Sequence, residues 1–130
     1  MKFAIVGSRD FTNFAFLKHH VNAVEAWWLS ERDEHCDEIV SGGARGADTL
    51  AKQYAKHNEI PLVEFKADWD SHGKSAGYKR NVKIVDYSDL IIAFWDGHSP
   101  GTKHTIDIAK KQGKPVWVFE VDTTEYFKGD

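Results

Sequence analysis

Apolar residues fall in short continuous runs, separated by longer segments in which they recur every three or four positions. Phe3-Ala4-Ile5-Val6 is the first run and stops at Gly7. Four apolar residues in succession, closed by glycine, predict a strand covered on both faces. After a cap at Thr12 or Asn13, Phe14, Leu17, Val21, Val24 and Trp28 form one helical stripe. Glu38-Ile39-Val40 is a second short strand ending in Ser41-Gly42-Gly43. A second helix follows from Gly46, with Ala47, Leu50, Ala51, Tyr54 and Ala55 on one face and Asn58 as its stop.

Ile60 to Phe65 reads as a third strand, with Pro61 near its start as at an edge. Lys66 to Gly77 is a polar stretch, and Tyr78 to Tyr87 a third helix. Leu90 to Trp95 is the longest apolar run, a fourth strand and far too short for a membrane span. A fourth helix opens at Gly101-Thr102, turns Ile106 and Ala109 inward, and stops at Gly113 before Pro115. Val116 to Val121 is the fifth strand. Strands alternating with helices predict an α/β fold: a Rossmann-like, doubly wound three-layer sandwich on a five-stranded parallel sheet. One domain over 1–121 and a polar tail over 122–130 account for the 130 residues.

In such a sheet, ligands bind beyond the carboxyl ends of the strands. Six of the ten glycines and most of the unusual polar residues fall there. Strand one ends in Gly7-Ser8-Arg9-Asp10, strand two in Ser41-Gly42-Gly43-Ala44-Arg45-Gly46-Ala47-Asp48, and strand four in Asp96-Gly97-His98-Ser99-Pro100-Gly101-Thr102. Glycine turns let backbone N–H groups approach an anion, and a helix start adds partial positive charge. Gly42-Gly43-x-x-Gly46 is therefore a candidate phosphate cradle. It is neither a Gly-x-Gly-x-x-Gly fingerprint nor a P-loop: Gly73-Lys74-Ser75 lacks the upstream glycine, which would fall within Ala67-Asp68-Trp69-Asp70.

Taken together, Gly7-Ser8-Arg9-Asp10-Phe11, the Ser41–Asp48 segment, Ala67-Asp68-Trp69, Gly73-Lys74-x-Ala76-Gly77, Arg80-Asn81 and Ala93-Phe94-Trp95-Asp96-Gly97 resemble the YspA-type branch of the SLOG superfamily. That superfamily also holds the DprA/Smf proteins and the LONELY GUY phosphoribohydrolases. The resemblance runs from about Lys2 to about Val118, and implies a nucleotide or a nucleotide derivative, such as an ADP-ribose-like molecule, as ligand. It implies contact roles for Gly7, Ser8, Arg9, Ser41, Gly42, Gly43, Arg45 and Gly46. Asp48 would accept from a ribose hydroxyl or simply favour its helix start. Trp69 beside Asp68 would stack on a base, or pack as a lid. Lys74, Arg80 and Asn81 would close over phosphates, and Asp96 and Gly97 would form the turn after the fourth strand.

Pro100-Gly101-Thr102 resembles the end of the LONELY GUY phosphate motif. Those enzymes continue into a pair of glutamates, where this chain has Lys103, His104 and Thr105. Phosphate binding is implied there, and the carboxylate for N-glycosidic cleavage is absent from that place. Asp96 is the rim carboxylate best placed to substitute in a phosphoribohydrolase-like reaction. A DprA-like single-stranded DNA binder is the third reading. It is disfavoured by a formal charge of −3, with Lys103, Lys110, Lys111 and Lys114 as the one notable cationic cluster.

The arginines sharpen this picture. Only four exist, and Arg9, Arg45 and Arg80 fall on the glycine-rich rim. A mildly acidic chain, of pI about 6.1, thus carries a locally cationic site suited to a small anionic ligand rather than a polyanion. The seven histidines show no zinc spacing, and no cofactor is required by the pattern, although the rim carboxylates leave room for Mg²⁺ to bridge phosphates. One cysteine, Cys36, and no secretion signal fit a reducing cytoplasm and no membrane partner. Trp27 and Trp28 cannot both face one core, which makes one of them a candidate surface for a homo-oligomer.

Overall fold

A computed structural model describes residues 1–122 of the chain. Five strands form one sheet: β1 (Lys2–Gly7), β2 (Glu38–Ser41), β3 (Leu62–Glu64), β4 (Leu90–Trp95) and β5 (Val116–Glu120). Their order is β3-β2-β1-β4-β5, and every pair is parallel. The chain winds outward from β1 to β3, then returns to the other side of β1 with β4. The strand order therefore reverses between β1 and β4, where an open α/β sheet places its crevice.

The alternation within β1 explains the two faces. Phe3 and Ile5 point into one apolar cluster, and Ala4 and Val6 into another. The first cluster is closed by α1 (Phe14–Arg32) and α2 (Ala47–His57) through Leu17, Val21, Val24, Leu50, Ala51 and Tyr54. The second lies under α4 (Ala76–Tyr87) and α5 (Pro100–Lys111) through Ile84, Val85, Ile106 and Ala109. The fold is thus the expected three-layer, doubly wound parallel sandwich. Burying such apolar side chains contributes about 1.5–3 kcal/mol each, so the two clusters dominate the stability of the scaffold.

Two local expectations change. The polar stretch 66–77 is not irregular throughout. Asp68 caps the short α3 (Trp69–His72) by accepting from the Ser71 N–H at 3.1 Å, and a 3₁₀ turn (Gly73–Ser75) leads into α4, which starts at Ala76 rather than Tyr78. β3 is shorter than Ile60–Phe65 and lies at the sheet edge, as Pro61 suggested. Of the adjacent tryptophans, Trp28 enters the core, while Trp27 stays exposed with its ring 5.8 Å from that of Trp117. The tail expected at 122–130 lies, from residue 123, outside the described residues. Among those described, no helix is long and apolar enough to cross a membrane.

Candidate functional site

The rim at the β1/β4 switch is built by three loops that brace one another. Ser8 is buried; its hydroxyl accepts from the Asp96 N–H at 3.1 Å and stands 3.2 Å from the Ser99 hydroxyl, whose one proton goes to the Asp96 carboxylate. It therefore ties the loop after β1 to the loop after β4. Asp96 accepts from the His98 and Ser99 N–H groups, each at 2.8 Å, and from the Ser99 hydroxyl at 3.0 Å. Burial pushes its carboxyl up, but the Ser99 and His98 amides, with the Ser99 and Ser8 hydroxyls, outweigh that and hold it below the usual carboxylate range.

The loop after β2 is held differently. Ser41 is buried and its hydroxyl accepts from the Gly43 N–H at 3.4 Å. Asp48, in the first turn of α2, is buried and accepts from the Ala44 N–H at 3.1 Å. Burial raises its carboxyl above the usual range, although the Ala44 amide and the Arg80 and Arg9 guanidiniums pull the other way. Arg80 reaches over from α4. Its Nη1 donates to the Gly42 carbonyl at 2.8 Å, and its Nε to Asn81 Oδ1 at 3.0 Å. Asn81 Nδ2 in turn donates to the Gly101 carbonyl at 3.2 Å. A relay of side chains thus joins the loop after β2, helix α4 and the start of α5. Gly42 permits this, because a Cβ there would sit 2.5 Å from Arg80 Nη1 and 3.0 Å from the Asp48 carboxylate.

Two adjoining cavities open between these loops. The inner one, about 410 Å³, is lined by Gly7, Arg9, Arg45, Asp48, Trp69, Arg80, Asn81, Gly101 and Thr102, all expected at the site. Gly42 and Gly43 line the outer one, about 590 Å³, which shares Arg9, Arg45, Trp69 and Arg80 with the first. Ser8, Ser41, Gly46, Asp68, Asp96 and Gly97 line neither cavity; the hydrogen bonds of Ser8, Ser41, Asp68 and Asp96 hold loops. The side chain of Lys74 lies outside the described residues.

Several lining residues were not anticipated: Tyr78, Ile84, Ser99 and Thr105 in the inner cavity, and Lys66 in the outer. Gly77, Asn81 and Ile84 recur at spacings of four and three, so a helix begun two residues earlier would have exposed that face. Tyr78 is half-exposed and meets the His104 ring edge-on at 4.6 Å. Trp69 is also half-exposed, with its indole against Gly77. Arg9 makes no hydrogen bond or ion pair among the described residues, and Arg45 meets only Asp10, at an exposed 3.4 Å. No group of three His, Cys, Asp or Glu side chains converges to hold a metal ion among the described residues.

A Rossmann-like sandwich with a cation-lined, aromatic-walled cleft at its switch point has the form of a nucleotide-related binding domain. The chain belongs to the YspA, cpYpsA-related SLOG family, whose model matches residues 1–72. It is 42% identical over 85 residues to Gene 61 protein of Mycobacterium phage D29, covering 60% of this chain and 67% of that one. Its fold is similar to that of DNA processing protein A from Helicobacter pylori, whose single-stranded DNA binding mode has been described. The TM-score is 0.65 at 22% identity, over 99% of this chain and 72% of that one. DNA processing protein A from Streptococcus pneumoniae follows at a TM-score of 0.64 and 22% identity, over 90% of this chain and 49% of that one. This chain thus spans only about half of the pneumococcal protein.

Proposed function

We propose that the cleft binds a small nucleotide derivative of the ADP-ribose-like class. The observation that carries this reading is the convergence of Arg9, Arg45 and Arg80, from three separate elements, on one cleft with the half-exposed rings of Trp69 and Tyr78. Guanidiniums offer charge-assisted, bidentate contacts to phosphate, and aromatic faces take a base. Arg9 and Arg45 have little internal use for their charge, whereas Arg80 is already committed to Gly42 and Asn81. Calorimetric titration with a nucleotide panel that includes ADP-ribose tests this. Arg9→Ala should weaken the tightest ligand by about tenfold, the value of one charge-assisted hydrogen bond. Unchanged binding in Arg9→Ala would place the ligand elsewhere.

Single-stranded DNA is the second reading. The fold similarity to the H. pylori protein favours it, as do the four cations around the outer cavity with Trp69 among them. Stacking on an aromatic and backbone neutralisation by cations are the means by which such strands are held. A mobility shift that steepens at low salt, and that Arg45→Ala weakens, would favour DNA over the small ligand. A phosphoribohydrolase-like reaction finds less support. Asp96, the carboxylate it would need, is engaged by two amides and a hydroxyl and lines neither cavity.

A further inference from the structure

We propose that His104 is a positioning residue for the cleft: its neutral imidazole fixes the Asn81 amide, and through it Arg80, and its protonation undoes both. The consequence for affinity rests on the nucleotide reading above; the arrangement itself does not. His104 lies on α5 and lines neither cavity. Asn81 is buried, and its Nδ2 stands 3.2 Å from the Gly101 carbonyl oxygen and 3.3 Å from His104 Nδ1. Its Oδ1 stands 3.0 Å from Arg80 Nε.

Two of these partners have one role each. Arg80 Nε can only donate, and the Gly101 carbonyl can only accept. Together they fix which end of the Asn81 amide is which, with Oδ1 toward Arg80 and Nδ2 toward α5. His104 Nδ1 then faces a donor, so it must accept, and the ring proton belongs on Nε2. Protonation puts a second N–H on that line. Held in place, the ring sets two donors against each other. Turned away to solvent, it leaves a hydrogen of a buried amide without its partner. Either way Asn81 loses a contact that holds its amide toward Arg80, whose Nη1 braces the loop after β2 through the Gly42 carbonyl at 2.8 Å.

The groups around the ring decide where this happens. On α5, Asp107 draws a proton toward His104, but its carboxylate is paired with Lys103 at 2.7 Å. From α4, the Tyr78 ring stands edge-on at 4.6 Å, and the Arg80 guanidinium lies beyond Asn81. β4, on which α5 packs, carries no charged side chain. Burial outweighs Asp107 and holds His104 below the ordinary imidazole range, so the neutral ring is the resting form at neutral pH. Arg80 is a wall of both cavities. A ligand that needs it in place must restore the clasp at acid pH, and that cost comes out of the affinity.

The test is a pH titration of the full chain, from about pH 7.5 to about pH 5, read by nitrogen NMR and by calorimetry with ADP-ribose. Wild type is compared with His104→Asn, whose Oδ1 takes the place of Nδ1 and accepts at every pH, and with His104→Lys, which can only donate. At neutral pH the ring should carry its proton on Nε2, and the Arg80 Nε–H signal should move with the His104 titration. In His104→Asn that signal should stay at its neutral-pH position. One pH unit below the His104 midpoint, wild-type affinity should be about tenfold lower, because the neutral form is then about a tenth of the population. His104→Asn should escape this loss, and His104→Lys should bind weakly throughout. Asp48 is common to all of them, so the difference between variants is what counts. A proton on Nδ1 at neutral pH, an Arg80 signal that ignores His104, or an equal loss of affinity in wild type and His104→Asn overturns the proposal. Absence of ADP-ribose binding at every pH counts against the nucleotide reading, and the NMR signals still decide this one.

Discussion

The loops after β2 and after β4 use the same device and reach opposite electrostatic results. Each places an aspartate so that its carboxylate accepts backbone N–H groups of its own loop: Asp48 from Ala44, Asp96 from His98 and Ser99. Asp48 lies nine-tenths out of solvent, with one amide bond and two guanidiniums near it, and burial wins: its carboxyl is raised. Asp96 is only partly covered, and two amides with two hydroxyls win: its carboxyl is lowered. A loop amide clasp therefore favours the ionised carboxylate when water still reaches it, and is outweighed by desolvation when it is buried. The buried version sits where the arginines gather, which is where a ligand anion would add to the field.

The largest test of this contrast exchanges one glycine in each loop for alanine. Gly46 has φ +74°, and a Cβ on it would run into the carbonyl oxygens of Ser8 and Arg9. Gly46→Ala should cost about 3 kcal/mol, from strain together with overpacking against backbone. Gly97 also has positive φ, +84°, but faces open space, so Gly97→Ala should cost only about 1 kcal/mol. Urea denaturation of the two variants reads the difference directly, and equal costs would mean that both loops are equally free to adjust.

A subtler test follows melting temperature against pH in Asp48→Asn and Asp96→Asn. A raised folded value means that the native state holds its proton more tightly than the unfolded chain does. The Asp48 contribution is then present at acid pH and lost as pH rises through that folded value. Asp96 is the reverse: its contribution is present above the ordinary carboxylate value and lost as pH falls through the lowered one. The melting temperature of Asp48→Asn relative to wild type should therefore climb from acid to neutral pH, and that of Asp96→Asn should fall. Parallel curves would remove the contrast. The smallest effect belongs to Arg45→Ala. Its exposed contact with Asp10 should contribute under about 0.5 kcal/mol, so this variant probes the ligand without disturbing the loop.

Much of the scaffold was legible before the structure. The stripe Leu17, Val21, Val24 and Trp28 is buried as its spacing requires, and Leu90–Trp95 is a strand with the predicted ends. These succeed because an apolar face at a fixed period has one place to go. The segment 66–77 was harder, because its helix is four residues long and rests on a single cap at Asp68 rather than on any periodic face. Starting α4 two residues late also hid the face of Gly77, Asn81 and Ile84 as a wall of the cleft.

The site divides along the same line. Residue type and order along the chain, read by themselves, determined that glycines and arginines meet at the carboxyl ends of the strands, because parallel alternation puts those loops on one rim. Type and order do not say which polar groups are already satisfied by one another. Only the folded rim decided that Ser8, Ser41 and Asp96 brace loops, that Arg80 is committed to Gly42 and Asn81, and that Arg9 makes no hydrogen bond or ion pair among the described residues. Hydrogen bonds act over about 3 Å, and partners such as Arg80 and Gly42 stand 38 residues apart in the chain. Their pairing is a property of the tertiary structure, and so is the charge that remains for a ligand.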